Sequence, residues 1–355
     1  MRVITSRNVH RALPLALDAL RGNGINSDSR NGPVRRFDGP VTTLYERPTE
    51  RVLFWAERNA NPFFHLAESL WMLAGRNDVD YVARYVARMR TFSDDGATFH
   101  GAYGHRWRVH FQRDQLLDVI EALRKNRNDR RVVLSMWDAH VDLGREGRDF
   151  PCNLQALFSV NAAGALDMMV TNRSNDIIWG AYGANAVHFS YLQEFVASFV
   201  GVEVGRYWQV SNNFHAYLDT LESVESLAGL GDIVLGMPDR WDRWCPYTAG
   251  EVKPYPLVGV GWERTAWEEE LAMFLEEPEA VGFRHPFFRR VALPMHQAWR
   301  NWKEARSLPA AIEHAKAVGA TDWRKAAVEW LLRAEERRRR AEDDGAHAAA
   351  ASELG

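Results

Sequence analysis

Cysteine is almost absent from this chain, with two, Cys152 and Cys245, among 355 residues. That excludes a disulfide framework and suits a reducing compartment. With histidines scattered along the chain, it also leaves no zinc-ligand spacing. No stretch approaches the ~18 consecutive apolar residues of a membrane span. The opening MRVITSRNVHRALPLALDAL is charged and amphipathic, without an apolar leader core or small-residue cleavage site. No G-x-G-x-x-G follows a strand, which removes a Rossmann oxidoreductase. A net charge of −3 gives no pull toward nucleic acid or anionic membrane. These absences together predict a cytoplasmic protein.

What remains is an ordinary folded composition, 46% hydrophobic and 26% charged, long enough for one large domain or two. Helical periodicity marks residues 8–22, 63–74, 114–127 and 186–200. Strands are predicted at 41–45, 51–55, 131–137, 154–160, 166–171 and 207–210, with a polar loop at 23–30 and a turn at Asn31-Gly32-Pro33. After about residue 235 the chain becomes loop-rich, with Trp241, Trp244, Pro246, Pro254 and Pro256, then helical near 264–276 and 308–341. The expected division is a catalytic domain over 1–235, a loop-rich and helical extension over 236–341, and a disordered tail over 342–355. Strands packed against several long helices make this an α+β chain.

The densest chemistry lies between Pro151 and Asn185. Cys152 follows a proline and opens a strand, and Arg173, Ser174, Asn175 and Asp176 come soon after. By type alone a lone cysteine is more often a small buried hydrophobe than a nucleophile, but a nearby arginine would favour its thiolate. Cys245, in WCPYT, has no such company and reads as structural. Glu68 sits in the apolar helix FFHLAESLWML, either as a satisfied buried carboxylate or as a general acid/base. Arg130-Arg131, Arg173 and Arg30 are each solvated cations or parts of a phosphate clamp. His215 and Tyr217 share one face of a strand, where they could bind a sugar hydroxyl or simply pack.

In order and spacing these groups resemble the thymidylate synthases and their relatives, the pyrimidine nucleotide hydroxymethylases. The matching pieces are Glu68 in ESLWMLAG, Tyr103 in YGHRWR, Arg130-Arg131 in DRRVVLSMW, Pro151-Cys152, Arg173 to Asp176, Gly180 to Asn185, and His215-Ala216-Tyr217. The resemblance implies a large twisted mixed β-sheet packed against several helices, with the C-terminal helical extension added here. It implies that Cys152 adds to C6 of a pyrimidine. Arg30, Arg173, Ser174 and the Arg130–Arg131 pair would hold the 5′-phosphate, the pair crossing from a second subunit of a homodimer. His215 and Tyr217 would hold the sugar, and Asn185 would read the base. Glu68 would organise water and proton transfer, and Tyr103 would assist proton removal from C5. Asp176 and Gly180 would lie on the side of 5,10-methylenetetrahydrofolate, the implied cofactor. The implied partners are a pyrimidine nucleoside monophosphate and a second copy of the chain, with no nucleic acid and no membrane.

The departures are informative. The Gly180–Asn185 turn is longer by one residue than the family's, and Asn153 replaces the usual histidine after the cysteine. No tryptophan precedes Tyr103, and a helical extension (DWRKAAVEWLLR) stands where the family has a closing C-terminal peptide. Hydride transfer needs a site that excludes water, so a looser folate wall favours water capture of the one-carbon unit. The leading expectation is therefore hydroxymethylation of deoxyuridylate. The alternatives are a divergent thymidylate synthase, a deoxycytidylate or cytidylate hydroxymethylase, and a non-catalytic nucleotide- or RNA-binding protein.

Overall fold

A computed structural model describes residues 1–230, 244–279 and 282–353, with side chains as far as 343. The boundary expected near 235, Trp241 and most of the expected tail lie outside those residues and side chains.

The strands are β1 (Arg2–Ser6), β2 (Gly24–Ser29), β3 (Gly32–Phe37), β4 (Val41–Tyr45), β5 (Val133–Ser135), β6 (Asn153–Val160), β7 (Ala165–Asp176) and β8 (Glu203–Tyr217). They form an 8-stranded sheet in the order β1-β4-β8-β7-β6-β5, with β3 also on β8 and β2 on β3. The sheet is mixed: β1 with β4 and β7 with β8 run parallel, and the other pairs antiparallel. The larger helices are α1 (Val9–Asn23), α2 (Pro62–Leu73), α3 (Gln115–Lys125), α4 (Asn185–Val200), α5 (Arg264–Glu276), α6 (Leu293–Lys303), α7 (Leu308–Ala317) and α8 (Thr321–Glu353).

Three sequence expectations need correction. The polar segment expected as a loop at 23–30 is instead largely strand β2, paired with β3 across the Arg30–Asn31 turn. Residues 51–55 form no strand, and two of their N–H groups go to side chains instead of a ladder. The Val52 N–H donates to the Tyr247 hydroxyl at 3.2 Å, and the Phe54 N–H to His10 Nδ1 at 3.2 Å. The helix expected over 308–341 divides into α7 and α8, where the Gly319 N–H turns aside to the Arg290 carbonyl at 2.7 Å.

A helix that is apolar on every face must be covered on every face. α4 is such a helix, with every residue buried except Ser198. The extension supplies one side of its cover: Phe195 packs on Trp267, and Tyr191 on Phe287 and Trp323. α2 is roofed the same way, with Phe63 against Trp299 and Trp330. A buried ion pair fixes the joint. Arg51 pairs with Glu194 of α4 and lies over the Tyr191 ring at 4.0 Å, while Glu194 Oε1 accepts the Leu257 N–H at 2.8 Å. Removing one partner of such a pair strands the other charge in the core. Glu194→Ala is expected to lower unfolding free energy by about 3–5 kcal/mol, read by urea denaturation.

Candidate active site

β6 begins immediately after Cys152, and the Arg173 N–H donates to the Cys152 carbonyl at 2.9 Å. This antiparallel register sets the cysteine beside the arginine. The parallel β7–β8 pairing then brings Ser174 opposite Asn213 and Asp176 opposite His215, while β3 brings Arg36 against His215 and Val34 against Tyr217. Four strand ends thus converge on one cleft of about 440 Å³, lined by Arg30, Cys152, Arg173, Ser174, His215 and Tyr217, all expected from the sequence. Arg36, Arg145, Trp137 and Asn213 also line it. They went unrecognised because they reach the cleft through register and loop path, with no local motif to mark them.

Within this cleft Arg173 is anchored by the chain that delivers the nucleophile. Its Nε donates to the Pro151 carbonyl at 2.9 Å, its Nη2 lies 3.8 Å from Cys152 Sγ, and its cation faces the Trp137 ring at 5.7 Å. Burial pushes the Cys152 thiol up, and Arg173 opposes that shift. Arg30 donates to the Gly147 carbonyl at 2.8 Å and sits over Phe150. With Arg36 and Arg145 these guanidiniums make a cationic wall suited to a phosphate dianion. His215 Nδ1 lies 3.0 Å from Asn213 Oδ1 and its ring packs edge-on against Tyr217.

Tyr103 lies on the other side of the nucleophile. Its hydroxyl accepts the Cys152 N–H at 3.1 Å and the Asn153 N–H at 3.4 Å, and burial and the neighbouring cysteine push its acidity down. Asn185 is built into a line of buried amides. Asn153 Nδ2 donates to Asn185 Oδ1 at 3.3 Å, Asn185 Nδ2 to Asn175 Oδ1 at 3.0 Å, and Asn175 Nδ2 to Gln209 Oε1 at 2.9 Å. Asn153 Oδ1 has no partner among the described residues. Gly180 makes room for this line, since a Cβ there would sit 2.7 Å from Asn175 Oδ1. The longer turn is absorbed by a π-helical stretch at Ile177–Ala184, where Tyr182 and Gly183 leave helical geometry.

Asp176 caps that stretch by accepting the Trp179 N–H. Its Oδ2 is buried without a partner among the described residues, and burial raises its pKa. Beside it Trp179 is 53% exposed and stacked over Arg58 at 4.5 Å. Arg58 is itself buried, its pKa down to about 10, with Nε on the Ile178 carbonyl at 2.7 Å. A buried carboxylate next to an open aromatic face is chemically suited to a flat heteroaromatic ring.

Glu68 lies outside the cleft lining, on α2 against α4, where its Oε2 is 3.0 Å from His188 Nε2. Arg130 and Arg131 also lie outside it. Both are exposed, and Arg131 pairs with Asp129 at 2.9 Å.

The thymidylate synthase family model matches residues 54–229, the span that carries Glu68, Cys152, Arg173 and His215. A deoxyuridylate hydroxymethyltransferase of Pseudomonas phage M6 is 61% identical over 94% of this chain and 94% of its own. The chain belongs to the thymidylate synthase family. Within that family it is also 41% identical to a deoxyuridylate hydroxymethyltransferase of Bacillus phage SP01, over 51% of this chain and 50% of that one. Against a thymidylate synthase of Streptococcus pyogenes it is 29% identical, over 57% of this chain and 70% of that one. As in its relatives of both names, one-carbon transfer is the family's chemistry. No helix among the described residues is long and apolar enough to cross a membrane.

Because Arg173 is the leading group that lowers the Cys152 pKa, Arg173→Ala is expected to move it up. The pH midpoint of Cys152 alkylation by iodoacetamide should then shift upward, and alkylation at neutral pH should slow. An unchanged midpoint would remove Arg173 as the thiolate's counterion.

Proposed function

We propose that this protein converts deoxyuridylate to 5-hydroxymethyldeoxyuridylate, using Cys152 as a covalent nucleophile and 5,10-methylenetetrahydrofolate as one-carbon donor. The observation that carries this is the continuous likeness to the Pseudomonas phage M6 deoxyuridylate hydroxymethyltransferase. It spans 94% of both chains and so takes in the extension, which the Streptococcus pyogenes synthase match at 57% cannot.

C5 of uracil is a poor nucleophile until a thiolate has added at C6. The position of Cys152 beside Arg173, set by the β6–β7 register, supports that role. The guanidiniums of Arg173, Arg30, Arg36 and Arg145, with the Ser174 hydroxyl, bind the 5′-phosphate. His215 and Tyr217 hold the sugar. Tyr103, hydrogen-bonded to the Cys152 backbone, assists loss of the C5 proton. Asn185 reads the O4/N3 edge, since an amide both donates and accepts. The folate, when bound, supplies a one-carbon unit at the oxidation level of formaldehyde. Asp176 and Trp179 hold its pterin, the first through its free carboxylate oxygen and the second through its exposed face. Exposed arginines at 130 and 131, standing away from their own cleft, support a homodimer in which each pair reaches the partner's phosphate. The cytoplasm is the compartment consistent with two free cysteines.

Incubation with deoxyuridylate and methylenetetrahydrofolate should give tetrahydrofolate and a product heavier than thymidylate by one oxygen, read by mass spectrometry. Cys152→Ser should lose at least about a thousandfold in rate. Dihydrofolate with a methylated product would identify a synthase instead.

A further inference from the structure

Two buried polar atoms facing each other without a hydrogen bond are an uncommon arrangement in a folded core. Glu68 Oε2 and His188 Nε2 stand 3.0 Å apart, within ion-pair distance but not aligned for a hydrogen bond, and among the described residues neither has another partner. His188 is 4% exposed. A second histidine flanks the pair: His65, one turn from Glu68 on α2, meets the His188 ring edge-on at 6.4 Å. Burial, with Arg58 and His188 nearby, pushes the His65 pKa down, so His65 stays neutral. Two unsatisfied atoms, one an acceptor carboxylate and one an imidazole nitrogen, are a pair that an ordered water satisfies.

The pair is also connected to the nucleophile. His188 lies one turn after Asn185 on α4, so both project from the same side of that helix. Asn185 in turn holds Asn153, the residue following Cys152. Next along the helix, Phe189 packs on Tyr103, whose hydroxyl holds the Cys152 N–H. The first turns of α4 therefore carry the base reader, the contact to Glu68 and the packing under Tyr103.

We propose that His188 is a positioning residue for the water-capture half of the reaction, orienting Glu68 toward a water that lies to one side of both. The proposal rests on the hydroxymethylation reading. With Cys152 bonded to C6 and a methylene on C5, the water oxygen bonds to the methylene carbon. The double-bond electron pair moves to C5 and O4, and the water's proton passes to Glu68. Return of that pair forms C5=C6 and expels the Cys152 thiolate. No oxidant or reductant enters.

The reverse of this step needs no folate and can be read alone. Unaltered protein incubated with 5-hydroxymethyldeoxyuridylate in ¹⁸O-water should exchange the hydroxymethyl oxygen, read by mass spectrometry, and Cys152→Ser should not. His188→Ala should slow this exchange on the order of a hundredfold, as for loss of aligned acid–base help, and His188→Gln should recover part of it. Deuterium exchange at C5 of deoxyuridylate, which needs Cys152 but no captured water, should stay within about twofold in both variants. Equal slowing of the two exchanges would overturn the proposal by making His188 merely structural, and an unchanged oxygen exchange would overturn it outright. If the unaltered protein exchanged no oxygen and made methylated product from deoxyuridylate and the folate, the hydroxymethylation reading would fall instead.

Discussion

The line of buried amides from Asn153 through Asn185 and Asn175 to Gln209 ties the start of the central helix to the two strands whose ladder sets the nucleophile beside Arg173. Asn153 starts the strand behind the nucleophile, Asn175 lies on the strand that carries Arg173, and Asn185 begins the central helix. Gln209 continues the line to the Tyr45 hydroxyl at 3.2 Å and the Ala181 carbonyl at 3.1 Å. Each amide donates onward to the next, so breaking one bond leaves groups unsatisfied in a low-dielectric interior. That penalty makes the relative placement of cysteine, arginine and helix nearly a single solution. The glycine at 180 is part of the same constraint, because a side chain there would press on the Asn175 amide.

The helix so anchored explains the extension. An element buried on every side needs cover beyond the sheet, and the aromatic residues of α5 and α8, with Phe287 ahead of α6, provide it. The described part of the extension packs against the site's main helix, and none of its residues lines the cleft. Asp176 and an exposed Trp179 held by Arg58, the groups proposed to take the folate, are left uncovered by it. An open wall of this kind is compatible with water reaching the one-carbon unit, which is the chemical distinction between hydroxymethyl and methyl products.

Much of this was legible in the amino-acid order. Cys152, Arg173, Ser174, His215, Tyr217 and Arg30 share one cleft, and α1, α2, α3 and α4 fall within a residue or two of their periodic segments. What escaped has identifiable causes. β8 runs to Tyr217, but its end, SNNFHAY, lacks alternation because it faces a polar cleft. β2 is mostly exposed and polar, so only its pairing with β3 reveals it. His188 was hidden by its setting: in a helix read as uniformly apolar, a histidine looks like core until a carboxylate is found opposite. Arg58 and Trp179 are 121 positions apart in number and meet only through the turn after β7. The free carboxylate oxygen of Asp176 likewise depends on the cap it makes there.

The central claim is that Cys152 bonds to C6 of the nucleotide while the one-carbon donor is engaged. Fluorine at C5 cannot be lost as a proton is, so 5-fluorodeoxyuridylate with methylenetetrahydrofolate should stop the reaction with every bond to C5 and C6 in place. Intact-protein and peptide mass spectrometry should then show the combined mass of both compounds on the peptide that carries Cys152. No adduct in a protein that turns over deoxyuridylate, or an adduct on the peptide that carries Cys245, would contradict the account.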